Sequence, residues 1–114
     1  MQRRLRLHHS SDFQRLHHEG ILKRHPMLML SYAPNTLSHN RYGFIVSKRL
    51  GKAVQRNRIR RLLREVLRLY HPNLKRGYDC VFIARRAIVG QPLPEIQRIV
   101  YELCRRAGLA LEEF

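Results

Sequence analysis

The 114-residue chain has no tryptophan, two cysteines and eight acidic residues, and none of its apolar runs is longer than a strand. Each shortage removes a class of protein. The longest apolar stretches, near Met27 to Leu30 and Cys80 to Ala84, fall short of the ~20 residues that a membrane helix needs. The N-terminus lacks the apolar core of a signal peptide. A cytoplasmic protein with no membrane partner is therefore expected. Cys80 lies in an apolar run and Cys104 in a helical pattern, so both read as small buried hydrophobes rather than as a disulfide or redox pair. The acids are Asp12, Glu19, Glu65, Asp79, Glu95, Glu102, Glu112 and Glu113, and they form no D-x-D or E-x-K cluster of the kind that holds Mg²⁺ in a nuclease. His8, His9, His17, His18 and His25 crowd the first quarter. Zinc sites want defined spacing and usually cysteine or carboxylate company, and an acid-base pair for RNA cleavage wants a third orienting group, which is not evident here; added positive charge and ordinary packing are the plainer readings. No catalytic side chain and no protein-held metal are expected.

What the chain does have is positive charge, a formal +15 from 23 Lys and Arg against 8 acids. Most of it precedes residue 69. Between Lys48 and Arg68 lie Lys48, Arg49, Lys52, Arg56, Arg58, Arg60, Arg61, Arg64 and Arg68, against the single acid Glu65. So large a charge on one small domain opposes compaction by self-repulsion and points to a polyanionic partner. An anionic membrane surface is the poorer fit, because the basic segment has no Trp or Phe on its apolar face. Spacing shows how the charge is presented. Over residues 53 to 70, Ile59, Leu62, Leu63, Val66, Leu67 and Tyr70 recur at i, i+3, i+4, i+7 and i+8, the buried stripe of an α-helix. Asn57, Arg60, Arg61, Arg64 and Arg68 then face outward. Arg56 falls near the edge of the stripe and Arg58 on the opposite flank.

The rest of the chain reads as one domain spanning 1–114, with a flexible basic arm or extended lead-in at 1–9 and a tail at 109–114. Ser11 and Gln14 resemble a capping box opening a short helix from about Asp12 to His18, stopped at Gly20. Met27 to Ala33 and Arg41 to Ser47 read as strands joined by the turn Pro34 to Asn40, which predicts an antiparallel hairpin. Gly51 breaks the chain before the basic helix, and His71-Pro72 ends that helix. Tyr78 to Arg85 is a nearly continuous apolar run, the mark of a strand buried on both faces. Pro92 and Pro94 introduce a last helix, about 94 to 107, with Ile96, Ile99, Val100 and Leu103 inward. The class is α+β, a single-domain α-β sandwich.

The run Phe44-Ile45-Val46-Ser47-Lys48-Arg49-Leu50-Gly51-Lys52-Ala53-Val54, followed by Arg56-Asn57-Arg58-Ile59-Arg60-Arg61-Leu62-Leu63-Arg64-Glu65, resembles the signature of the protein subunit of bacterial ribonuclease P. Asp12-Phe13-Gln14 and Tyr78 to Arg85 extend the likeness over about residues 7 to 108. The resemblance implies an α-β-β-β-α-β-α order with a mostly antiparallel central sheet and a left-handed βαβ crossover, against the usual right-handed rule; the strand missing from the pattern would lie around Ile21 to Lys23. It implies an endoribonuclease whose catalyst is a large RNA with bound Mg²⁺, removing the 5′ leader of precursor tRNA. The protein would bind that RNA and the leader, with no obligatory protein partner.

Carried over by position, the RNA-binding residues would be Lys48, Arg49, Lys52, Arg56, Asn57, Arg58, Arg60, Arg61, Arg64 and Arg68. The leader would meet Phe13, His17, Tyr32, Lys48, Arg49, Arg85 and Arg86. Phe13 is equally readable as the core anchor of its helix. His17 stands where the family often has a second aromatic. Ser31 stands in the register of a family strand tyrosine, with Tyr32 beside it. Three rivals remain open on the residues alone: an RNA-binding module of the ribosomal-protein type, a nuclease acting through its own histidines, and a helix-turn-helix DNA binder, which the strands flanking the basic helix disfavor.

Overall fold

The computed structural model describes residues 1–111. Its elements in chain order are α1 (Ser10–Glu19), β1 (Ile21–Arg24), β2 (Leu28–Pro34), β3 (Arg41–Ile45), α2 (Ala53–Tyr70), β4 (Tyr78–Ala84) and α3 (Leu93–Arg106), with 3₁₀ turns at Arg3–Leu5, Lys48–Leu50, His71–Asn73 and Arg86–Ile88. This is the α+β order expected, and the short missing strand is β1. The strands form one sheet in the order β1-β2-β4-β3. β1 and β4 flank β2 antiparallel, whereas β3 runs parallel to β4.

The expected β2–β3 hairpin does not form, because β4 lies between the two strands. β4 is apolar and buried on both faces over most of its length, so it belongs at the center of the sheet, where each edge finds a partner. A hairpin would have left it at the rim. α2 therefore serves as the crossover from β3 to its parallel neighbor β4.

Two unequal cores follow from strand alternation. On one face Leu28, Leu30, Tyr42, Cys80 and Phe82 pack with Ile59, Leu63, Val66 and Leu67 of α2 and Ile96, Ile99, Val100 and Leu103 of α3. Leu62 and Tyr70 pack at its margin. On the other face α1 covers a smaller cluster of Leu7, Leu16, Ala33 and Val81, flanked by Phe13 and Ile83. Leu16, 1% exposed, holds α1 down, a burial worth about 2 kcal/mol. The free thiols of Cys80 and Cys104 are buried, as their settings predicted.

Three local expectations are corrected. Residues 1–9 are not a free arm. Leu5 and Leu7 are buried, Leu7 N–H donates to Tyr42 O at 2.8 Å and Arg6 bridges β3 at Tyr42, because alternating Leu5-Arg6-Leu7 suits the open side of β3. The Ser11/Gln14 capping box is absent. With Leu7 fixed to the sheet, the helix starts at Ser10, its N-cap His9 supplies no side-chain acceptor, and Ser11 lies within the first turn. Of the expected tail, Leu109 is buried and accepts Lys75 N–H at 2.7 Å, while Ala110 bridges Leu74; residues 112–114 lie outside the described residues. No helix among the described residues is long and apolar enough to cross a membrane.

Candidate nucleic-acid interface

α2 follows its predicted stripe from end to end, and its other side is the basic face. Asn57, Arg61 and Lys52 are exposed, and Arg64 and Arg60 are half-buried. Arg60 is braced, donating to Asn57 Oδ1 at 3.1 Å and Val46 O at 3.3 Å. Arg58 reaches Gln91 O at 3.2 Å. Arg56, half-buried, has its Nε buried with no partner among the described residues. The first turn of α2 carries no acid, and Lys52 at its N-cap makes no capping bond. The first-turn N–H groups and the positive end of the helix dipole therefore add to the charge of Lys48, Arg49 and Lys52. Arg68 departs from the set. It is exposed and held in a two-pronged pair with Glu65 at 2.7 and 3.2 Å, so its charge is partly balanced within the helix.

The sheet face under α1 is covered at one end only. Three residue rows cross it in register. In the first, Ala33, Asp79 and Arg41 align. In the second, Leu22, Ser31, Val81 and Gly43 align under α1, with Ser31 Oγ donating to Leu16 O at 3.0 Å. The third, Arg24, Met29, Ile83 and Ile45, lies beyond the helix; Ile45 is 40% exposed. Phe13 overhangs β3 between these rows, its ring seated on Gly43, where a Cβ would come within 2.7 Å of it. Any larger residue at 43 would displace the ring. Phe13, Gly43 and Phe44 share a shallow cleft with Arg6, Arg60 and Arg64. The structure thus brings the aromatic of α1 and the arginines of α2 to the two sides of the β3 edge.

Parallel pairing supplies the rest. Because β3 and β4 run side by side in the same direction, the segments that follow them leave at the same end of the sheet. Lys48-Arg49 and Arg85-Arg86 therefore lie at the same end of the sheet, all exposed, with Arg85 resting on Met29 Sδ at 3.7 Å. Gly51, with φ 125°, turns the chain from this rim into α2. His17 is exposed on α1 and packs edge-on against His18.

Tyr32 is a correction. Its even-numbered position puts it on the α2/α3 face, 8% exposed in the larger core and beside Tyr78. Burial, then the neighboring Tyr78 and Cys80, raise its pKa. Ser31, one residue away, has the α1 face. A one-residue step in a strand exchanges faces, and here it removes Tyr32 from the cleft.

Asp79 is the residue that sequence reasoning passed over. It is fully buried, and Oδ2 accepts Arg15 Nη2 at 2.5 Å and Arg41 Nη2 at 2.8 Å, while Oδ1 accepts Arg41 Nε at 3.0 Å and Asn35 Nδ2 at 2.9 Å. Burial by itself would raise this carboxyl's pKa. The bonds from Arg41, Asn35 and Arg15 outweigh it and hold the pKa below the ordinary value. Asp79 ties α1, β3, β4 and the β2–β3 loop together, and so sets where Phe13 hangs. The clue was an acid inside an apolar strand, which must find partners. No group of three or more His, Cys, Asp or Glu that could hold a metal exists among the described residues, and the one buried carboxylate is fully engaged by arginines, a donor set that does not fit Mg²⁺.

Comparison with known proteins gives consistent matches. The family model for Ribonuclease P matches residues 1–108. The ribonuclease P protein component of Roseiflexus castenholzii is 46% identical over 96% of this chain and 90% of its own length; that of Chloroflexus aurantiacus is 42% identical over 96% and 82%. The Staphylococcus aureus RNase P protein structure superposes with a TM-score of 0.87 at 28% identity, covering 93% of this chain and 97% of that one. The Thermotoga maritima RNase P protein gives 0.82 at 25% identity, covering 89% and 96%.

Proposed function

Because the chain belongs to the ribonuclease P protein component family, and so to the processing of tRNA 5′ ends, we propose that it binds the catalytic RNA through α2 and the precursor-tRNA leader through the cleft below α1. Asn57, Arg61 and the half-buried Arg56, Arg60 and Arg64 meet phosphates of the catalytic RNA, aided by Lys52 and the uncapped helix start. Such contacts fix position and affinity without reading sequence. The leader crosses the β3 edge between Phe13 and Arg64 and follows the uncovered row Ile45, Ile83 and Met29. Lys48, Arg49, Arg85 and Arg86 neutralize its phosphates at that rim. Phe13 offers its ring to an unpaired base, a stacking that tolerates any sequence. Bond cleavage belongs to the catalytic RNA and its Mg²⁺. The protein's part is to orient and to neutralize, in the cytoplasm where tRNA matures.

The observation that carries this reading is the shared cleft, which the half-buried Phe13 of α1 and Arg60 and Arg64 of the signature helix border along the β3 edge. The test is cleavage of a precursor tRNA at low Mg²⁺ by the protein alone, a bacterial ribonuclease P RNA alone, and the two together. Cleavage at the mature 5′ end only in the mixture is expected. Cleavage by the protein alone would assign the chemistry to its side chains. Tight RNA binding without stimulation would reduce it to a ribosomal-type module.

A further inference from the structure

At the far end of α2 two hollows adjoin, one of about 310 Å³ bordered by Arg4, Tyr42, Arg68 and His71, the other of about 400 Å³ bordered by Arg4, Ser38, His39, His71, Pro72 and Arg76. Four separate segments meet there: the N-terminal 3₁₀ turn, the β2–β3 loop, the end of α2 and the loop before β4. We propose that the hollow lined by Arg4, His39, His71 and Arg76 is a second phosphodiester site, which holds the backbone of the catalytic RNA. The proposal rests on the family reading above and extends it to a surface outside the signature.

Charge balance is the first argument. Every acid among the described residues, Asp12, Glu19, Glu65, Asp79, Glu95 and Glu102, is in an ion pair with an arginine, and none lines this hollow. Arg68, in the adjoining hollow, is neutralized by Glu65. Arg4 and Arg76 face the space without a carboxylate among the described residues. The carboxyl end of α2 supplies about half a negative charge, less than these two guanidinium groups carry. An anion there would relieve the excess.

Hydrogen bonding is the second. Asn40 Nδ2 donates to Lys75 O at 2.7 Å and to Tyr42 Oη at 3.1 Å. Tyr42 therefore spends its own proton on His71 Nδ1, 2.8 Å away. With Nδ1 accepting, neutral His71 carries its proton on Nε2 and keeps a donor for the hollow. His39 also carries its proton on Nε2, but spends it on Arg4 O, 3.2 Å away, a carbonyl that can only accept, so neutral His39 holds the Arg4 backbone in place and leaves the donating to His71, Arg4 and Arg76. Burial, then Arg4, Arg76 and His39, lower the pKa of His71, which keeps it a neutral donor at pH 7. Tyr42 from β3 and Arg68 from the last turn of α2 complete its surroundings.

Position favors the catalytic RNA over the leader as the source of the phosphate. His39 and Arg76 precede β3 and β4, whereas Lys48 and Arg85 follow them, so the hollow lies at the opposite end of the sheet from the leader rim. The 18 residues of α2 separate it from Lys52 by about 27 Å. A partner reaching both ends must be large and folded.

The test uses the full chain and an Arg4→Gln/Arg76→Gln double variant, both positions being exposed and outside the core, with circular dichroism to establish the fold. Sulfate, added at constant ionic strength, should shift the His71 and His39 ring resonances of the parent saturably, and the variant should lose that response. Against a bacterial ribonuclease P RNA, the variant should bind roughly tenfold more weakly, its log affinity against log salt flatter by about 0.7 to 0.9. Binding of precursor tRNA alone should be unchanged. A sulfate response with unaltered RNA affinity would mark an adventitious ion site and overturn the proposal; so would a loss confined to precursor tRNA, which would assign the phosphate to the substrate. If the parent itself bound no ribonuclease P RNA, the family reading of its partner would fail first, and the proposal with it.

Discussion

Arg41 and Arg64 bring the same guanidinium to the β3 edge from opposite sides of the sheet. Arg41 shares the buried Asp79 with Arg15 and also lies 3.4 Å from Asp12. Arg64, half-buried beside the cleft, has no ion pair and no side-chain hydrogen bond to any described residue. The first set of arginines is consumed in holding α1 to the sheet. The second is left uncompensated at a cost in self-repulsion, and only a polyanion recovers that cost. A basic composition thus divides into cations that build the cleft and cations that fill it, and the division follows from where the few acids fall.

The sharpest way to break this contrast is at Asp79. Asp79→Asn leaves two arginines facing a neutral buried amide, and a loss of about 3 kcal/mol is expected in urea unfolding, at the lower end for a broken buried pair because Arg15 and Arg41 keep some solvent contact. Arg64→Ala should stay within about 0.5 kcal/mol of the parent. Equal stability of the two variants would erase the distinction between structural and binding arginines.

The converse experiment is RNA binding. Arg64→Ala should weaken assembly with ribonuclease P RNA and flatten the salt dependence by about 0.7 to 0.9 in log-log slope; Arg60→Ala should do the same with a small stability loss, since Arg60 is also bonded to Val46 O. Filter binding across a salt series measures both. An unchanged slope in Arg64→Ala would remove that residue from the interface.

The contrast between the halves of the molecule also explains what the sequence disclosed. α2 was legible to its ends because six apolar residues at helical spacing leave little freedom, and the outward arginines then follow from geometry alone. The resemblance implied that the basic helix joins parallel strands, as β3 and β4 are, but the residues alone suggested a β2–β3 hairpin, since which strand sits centrally depends on burial of both faces of β4 against elements far away in sequence. Tyr32 was lost for a smaller reason, one step of strand register. Phe13 was found through the resemblance, but its support on Gly43 requires the parallel β3–β4 pair to exist first. The clamp at Asp79 left a readable trace, a lone acid in the apolar Tyr78 to Ala84 run, although its partners, as many as 64 residues away, did not.

Two finer predictions follow the same division. Phe13→Ala should weaken precursor tRNA about tenfold relative to mature tRNA, within the ~1–3 kcal/mol of one stacked base; equal weakening of both substrates would make Phe13 a core residue. The smallest effect is in pH. With its folded pKa below the unfolded value near 3.9, Asp79 contributes stability that is complete above about pH 5 and is lost as pH falls through the folded value. The urea midpoint of the parent should therefore drop more steeply below pH 4 than that of Asp79→Asn. Parallel pH profiles would show that the carboxylate's partners do not favor its charged form.

The central claim is that one protein face takes the leader and another the catalytic RNA. Both native thiols are buried, so a single cysteine introduced at exposed Ile45 or at exposed Asn57 can carry a photo-crosslinker selectively into a complex of protein, ribonuclease P RNA and precursor tRNA. The account predicts that the probe at 45 labels the 5′ leader and the probe at 57 labels the catalytic RNA. Exchange of the two targets, or labeling of the same RNA from both positions, would contradict it.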